Sequence, residues 1–131
     1  KKRLSRAKKV ITDFKKYMTI KECNGFVFVR WNVEYITLKV ATETVKNRTQ
    51  ATEGKEVLIL SDARKLKAIT REARKHLADH IASGVKGGAV LVDSIESKMV
   101  AKFFLEINKP KVKFKIFESE KVALTWLNMQ T

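Results

Sequence analysis

The sequence predicts an α/β domain: a mixed, mostly parallel β-sheet with an amino-terminal antiparallel hairpin and about four helices, in the order ββαβαβαβα. Three observations carry that prediction. Asn24-Gly25 separates two runs rich in β-branched and aromatic residues, and this dipeptide supplies the two positive-φ residues of a type I′ hairpin turn. After the hairpin, short apolar runs alternate with stretches whose apolar residues recur every three or four positions, and three such strand-helix units require right-handed crossovers and parallel neighbours. Finally, 131 residues with 44% hydrophobic composition suffice for one core without a disulfide or metal staple, and are too few for two.

The elements follow in order. Residues 17–23 and 26–31 form the hairpin. Leu38, Ala41 and Val45 share one face of a first helix over 37–53, with Thr37 as its cap and Gly54 closing it in αL geometry. Residues 56–60 are a strand, and Thr70 opens a second helix that buries Ala73, Leu77 and Ile81 and closes at Gly84. Gly84-Val85-Lys86-Gly87-Gly88 reads as a connection into a strand over 89–92; it lacks the spacing and the Lys-Ser/Thr pair of a phosphate loop. Ser94 introduces a third helix carrying Ile95, Met99, Val100, Phe103 and Ile107, which Asn108-Lys109-Pro110 breaks. Val112, Phe114 and Ile116 alternate with Lys113 and Lys115 as in a half-exposed strand, and Ser119 caps a last helix with Val122, Ala123, Trp126 and Leu127.

Charge is uneven along the chain. The net charge is +14, and residues 1–16 hold eight Lys/Arg against Asp13 alone, eight minus one giving +7. Residues 1–16 therefore read as a basic arm and 17–131 as the single domain. Within the arm Leu4, Ala7, Ile11, Phe14 and Met18 recur at helical spacing among Lys1, Lys2, Arg3, Arg6, Lys8, Lys9, Lys15 and Lys16. Such a segment suits an anionic membrane surface or nucleic acid, without sequence specificity; the plainer alternative is a solvated terminus leading into the first strand. No apolar run reaches the length of a membrane span. One cysteine, Cys23, and no signal segment at the start of the sequence point to a reducing, cytoplasmic setting.

Four separated segments have a familiar look: Leu58-Ile59-Leu60-Ser61-Asp62-Ala63-Arg64, Ile69-Thr70-Arg71-Glu72-Ala73-Arg74, Phe103-Phe104-Leu105-Glu106-Ile107-Asn108-Lys109-Pro110, and Lys115-Ile116-Phe117-Glu118-Ser119-Glu120-Lys121-Val122-Ala123-Leu124-Thr125-Trp126-Leu127. Over about residues 17 to 128 the chain resembles a bacterial family of small STAS-like, or SpoIIAA-like, domains of unassigned function. The resemblance implies a mixed sheet with helices packed over it, the fold of anti-sigma-factor antagonists and, more distantly, of lipid-carrying CRAL-TRIO domains. Those antagonists carry an Asp-Ser-Ser-Gly type motif at the start of the second helix, whose second serine receives a phosphate. Aligned on that motif, this chain has Thr70, Arg71 and Glu72, so no hydroxyl stands at the switch position. Glu72 is expected to stabilise the helix start through the macrodipole, and Thr70 to cap it.

Other residue groupings hold little chemistry. His76 and His80 have i, i+4 metal-ligand spacing, but a catalytic zinc needs a third ligand and a base in an open cleft, so no metal or cofactor is expected. Ser61, Asp62, Asp93, Ser94 and Lys98 gather at the carboxyl ends of the strands, where open α/β sheets bind ligands. No histidine is placed to serve either serine as a base, and strand-end aspartates commonly accept backbone N–H bonds. The third helix is apolar over more than one stripe, and Met99, Phe103 and Phe104 are candidates for a homodimer face.

These residues point to a non-enzymatic STAS-like regulatory or protein-binding module without the phosphorylatable serine. Two alternatives belong to other classes. A carrier of a lipid or other apolar ligand would need an apolar cavity between sheet and helices, and a nonspecific binder of anionic surfaces or nucleic acid would act through the basic arm.

Overall fold

Strands that are apolar on both faces can be buried between two helix layers, and Phe26–Trp31, Val57–Asp62 and Val85–Leu91 have that character. The computed structural model describes residues 9–14, 16–81 and 84–130. In chain order the elements are β1 (Lys9–Phe14), β2 (Met18–Glu22), β3 (Phe26–Trp31), β4 (Tyr35–Ile36), α1 (Leu38–Ala51), β5 (Val57–Asp62), β6 (Ala68–Ile69), α2 (Arg71–Ile81), β7 (Val85–Leu91), α3 (Ile95–Phe103) continued by a π-helical turn (Phe104–Asn108), β8 (Phe114–Phe117) and α4 (Glu120–Met129). Six strands form one sheet in the order β1-β2-β3-β5-β7-β8, and β4 and β6 form a separate parallel pair. β1, β2 and β3 run antiparallel; β3, β5, β7 and β8 run parallel.

Strand alternation sends side chains to two cores. On one face Phe26, Phe28, Leu58, Leu60, Ala89 and Leu91 pack against Ala123 and Leu127 of α4. On the other, Met18, Ile20, Val27, Val29, Ile59 and Val85 meet partly buried Ala51, Ile81 and Phe114. Ile36, Val40, Ala41, Ala63, Leu66 and Ala73 extend this second layer, with Leu77 and Val100 against them. Each fully buried Leu or Phe contributes roughly 1.5–3 kcal/mol.

The expected hairpin is present, with Glu22 opposite Val27, but its turn is not of the expected type I′: Gly25 has positive φ, at 85°, and Asn24 does not. The helices open where expected on Thr37, Thr70, Ser94 and Ser119, whose hydroxyls accept from Val40, Ala73, Ser97 and Val122 N–H respectively.

Four further expectations need correction. The helical spacing in the basic arm does not continue through residues 9–14: Lys9–Phe14 is a strand paired with β2, and Met18 belongs to β2. Val10, Ile11 and Thr12 are β-branched, and an open sheet edge offers hydrogen bonds that an isolated short helix cannot match. Lys1, Lys2, Arg3, Arg6, Lys8 and Lys15 lie outside the described residues, while Lys16 is exposed beside the Tyr17 ring at 5.1 Å. Second, α1 is rotated from the face that its apolar residues suggest: Val40, Ala41, Thr44 and Arg48 are buried and Leu38 is half exposed. Thr44 donates to the Ala41 carbonyl and Arg48 to that of His80, so these polar residues enter the core with partners. Third, Gly87 and Gly88 are not a connection, because β7 begins at Val85. A Cβ at Gly88 would lie 2.6 Å from the Ile59 carbonyl oxygen and 2.7 Å from Phe114 Cε2, so glycine serves close strand and ring approach there. Fourth, the inward residues of α3 are Ser97 and Ala101, and the series Ile95, Met99, Phe103 points outward.

Candidate functional site: the two faces of α3

Helix α3 begins in a reciprocal cap. Ser94 Oγ accepts from Ser97 N–H at 3.0 Å, and Ser97 Oγ accepts from the N–H groups of Ser94 and Asp93, each at 3.0 Å. This satisfies orphan donors of the first turn and fixes where the helix starts, hence which face is inward. At its other end the chain widens into the π-helical turn Phe104–Asn108, and Lys109 at φ 43° ends it. Wider turns of this kind shift the register of a helix face.

The inward face helps to enclose a cavity. Val100, Ala101 and Phe104 form one wall, Val29, Ile59 and Val90 of the sheet another, and Leu77 and Ile81 of α2 close it with Thr44 and Arg48 of α1. Its volume is about 110 Å³. Trp31 and Phe114 add aromatic rings to its lining, and the polar contributors are Thr44, Arg48 and Ser61. Burial lowers the pKa of Arg48, whose guanidinium donates to the His80 carbonyl at 3.4 Å.

The outward face is apolar too. Ile95, Met99, Phe103 and Ile107 are 76%, 57%, 49% and 59% exposed, each four residues from the next. Single exposed apolar residues are ordinary, whereas an aligned row of four along one element is not. Arg74 of α2 lies over the Phe103 ring at 5.7 Å and borders the row. Of the three residues expected at an interface, Met99 and Phe103 stand on this face. Phe104 does not: it is partly buried and lines the cavity, because it lies one position round the helix from Phe103.

The strand-end residues are divided rather than gathered. Ser61 lines the cavity, while Asp62, the next residue in β5, points to the opposite side of the sheet. Asp62 is buried and engaged: its Oδ1 accepts from Arg64 N–H at 3.1 Å and Nε at 2.9 Å, and its Oδ2 accepts from the guanidinium at 2.8 Å. Ser94 is a helix cap, and Lys98 pairs with Glu118 at 3.1 Å. Asp93 is exposed and contributes its backbone N–H to Ser97, in place of the accepting role expected of its carboxylate. At the switch position, Thr70 caps α2 and Arg71 and Glu72 are exposed in its first turn. His76 and His80 stack at 4.1 Å on α2, and burial together with the charge of His80 lowers the pKa of His76. Among the described residues no group of three His, Cys, Asp or Glu could hold a metal ion.

Burial alone would raise the Asp62 carboxyl, but hydrogen bonds and charge from Arg64, with Arg30 adding to them, outweigh it and hold the group below the usual carboxylate range. A depressed folded value stabilises the domain above the ordinary carboxylate pKa of about 4, and that contribution is lost as pH falls through the folded value. Asp62→Asn is expected to lower stability at pH 7 by about 1–2 kcal/mol, modest because the Arg64 side chain is 42% exposed. Thermal melts should show the two proteins converging in acid; a pH-independent difference contradicts this account of the pair.

With the geometry in place, comparisons with other proteins fix the family. Residues 18–131 match the family described as a domain of unknown function, DUF7793. The chain belongs to that family. DUF7793 therefore covers the sheet from β2 onward, all four helices and both faces of α3. A similar solved structure is an uncharacterized protein of the DUF3478 family, with a SpoIIAA-like fold, from Shewanella loihica PV-4. It is 18% identical, with a TM-score of 0.62, and the match covers 84% of this chain and 91% of that one. This establishes the SpoIIAA-like fold that the four sequence segments imply. No curated protein matches the chain. No helix among the described residues is long and apolar enough to cross a membrane.

The sequence raises an apolar cavity between sheet and helices only as a carrier's requirement, and does not reveal that the inward side of α3 lines one. A signal was present, since a helix apolar on two sides must place one of them somewhere other than the main core.

Proposed function

We propose that this DUF7793 domain is a non-enzymatic protein-binding module that docks its partner on the outward face of α3. One observation carries the reading: Ile95, Met99 and Phe103 of α3, with Ile107 of the π-helical turn that follows, are exposed apolar residues at four-residue spacing, while the opposite face of α3 is already packed. Contiguous exposed apolar surface is characteristic of interaction sites. The non-enzymatic part is supported by the engagement of the polar candidates. Asp62 is bound by Arg64, Ser94 and Ser97 cap each other, and Ser61 and Asp62 project to opposite sides of their strand. With Glu72 where the related switch proteins have serine and Thr70 already bonded to α2, binding in this reading is not gated by phosphate at that position.

A second copy of the chain is the simplest partner, because closed two-fold pairs are the commonest way to cover such a face. Light scattering of the full chain at high micromolar concentration should give a mass near twice 15.0 kDa. Met99→Glu should return it to the monomer while leaving the melting temperature within a few degrees, since a charge in a closed apolar interface is costly and one on an open surface is not. A clean monomer in the unaltered chain overturns the second-copy reading.

A further inference from the structure

Beyond protein docking, we propose that the cavity behind α3 is a binding site for a small neutral aromatic ligand, about the size of a single six-membered ring. Protein interiors are packed so closely that voids larger than a water molecule are few, and 110 Å³ is well beyond that. An apolar cavity of roughly 150 Å³, engineered into another protein, stays dry and takes up benzene, so this one has the right order of size for one ring and not for a long chain.

The lining specifies the chemistry. Its walls are mostly hydrocarbon, from Val29, Ile59, Leu77, Val90 and Val100, and the cation among them, Arg48, already donates to the His80 carbonyl, so a charged guest would lose its hydration for little return. Trp31, Phe104 and Phe114 contribute rings from β3, the π-helical turn and β8, giving edges and faces that an aromatic guest can meet at favourable angles. The polar members are constrained differently. Thr44 donates to the Ala41 carbonyl and Arg48 to that of His80, whereas the Ser61 hydroxyl makes no hydrogen bond among the described residues. The site thus accommodates a ring with at most one small polar substituent, directed at Ser61. Phe104, where α3 gives way to the π-helical turn, is itself a lining residue.

Benzene is the probe, used with the full chain. The melting temperature should rise with the logarithm of benzene concentration once it exceeds the dissociation constant, by about 5 °C at ten times that constant, while the methyl resonances of Val90, Val100 and Leu77 should shift and saturate. Filling the space with Ala101→Leu, or with Val100→Phe should the first variant fold poorly, should reduce the benzene-induced rise at least threefold without lowering the melting temperature of the free protein. Unchanged methyl resonances at benzene saturation overturn the proposal, as does an equal rise in a folded filled variant. A rise with decanoate and none with benzene would overturn the ring-sized reading in favour of an acyl chain.

Discussion

Replacing Gly88 by valine should remove about 4 kcal/mol of stability, most of what a marginally stable domain has. Even the first added carbon would sit 2.6 Å from the Ile59 carbonyl oxygen in β5 and 2.7 Å from Phe114 Cε2 in β8, distances no real contact sustains. β7 lies between those strands, so it cannot relax toward either without breaking a ladder: Gly88 pairs with Ile59 on one side and Phe114 on the other. Overpacking of this kind costs typically 1–3 kcal/mol, and separating two ladders adds to it, so a total of about 4 kcal/mol is expected. Domains have about 5–15 kcal/mol in all. Gly88→Ala should be milder but still clearly destabilising, and urea titration of both variants gives the order directly. A valine variant as stable as the parent would show that β7 does not pass so close to its neighbours.

Ala101→Asp should be nearly as damaging, for an electrostatic reason. Ala101 is 5% exposed and faces the apolar cavity, where a carboxylate would lose its hydration and where the cation in the lining, Arg48, is already engaged with the His80 carbonyl. An unpaired buried charge costs several kcal/mol, relieved only by taking up a proton. The variant should therefore melt well below the parent at pH 7 and recover part of the loss as pH falls, the sign expected of a group whose carboxyl is raised in the folded state. Loss of stability that is the same at pH 7 and in mild acid would point to a steric cause instead.

How far the fold could be read from the chain depended on which signal each element carried. The hairpin at Asn24-Gly25 and the caps at Thr37, Thr70, Ser94 and Ser119 are local devices, written in residues that sit next to each other, and all five are where the sequence places them. The alternation of strands and helices was equally legible, and with it the parallel pairing of β3, β5, β7 and β8. β1 was not, because the apolar spacing of its residues fits a helix and only the edge of β2 decides otherwise. The two-residue strands β4 and β6 are too short to leave a periodic trace. The rotation of α1 was hidden because the residues it buries include Thr44 and Arg48, which a count of apolar positions passes over.

The site shows the same division. Met99 and Phe103 were recognisable as interface candidates from the excess of apolar residues on α3, and both are exposed. Phe104 was grouped with them because adjacent residues look alike in sequence, although a step of one along a helix turns the side chain by about a quarter of a circle. The strand-end cluster failed for the corresponding reason in a strand, where Ser61 and Asp62 diverge by half a turn. The cavity joins residues from the sheet and all three helices on that face, and no local pattern announces such an assembly.

The central claim is that α3 has one face that holds the domain together and another that is free to bind. It is tested most directly by thermal melting of the double variant Ile95→Glu with Met99→Lys, which removes two of the four side chains of the exposed apolar row and sets an acid at the helix start, four residues before a base. At a protein concentration low enough to keep the chain monomeric, the account predicts a melting temperature within about 2 °C of the parent, consistent with surface substitutions. A fall of 10 °C or more under those conditions would mean that Ile95 and Met99 are packed within the monomer, and would contradict the account.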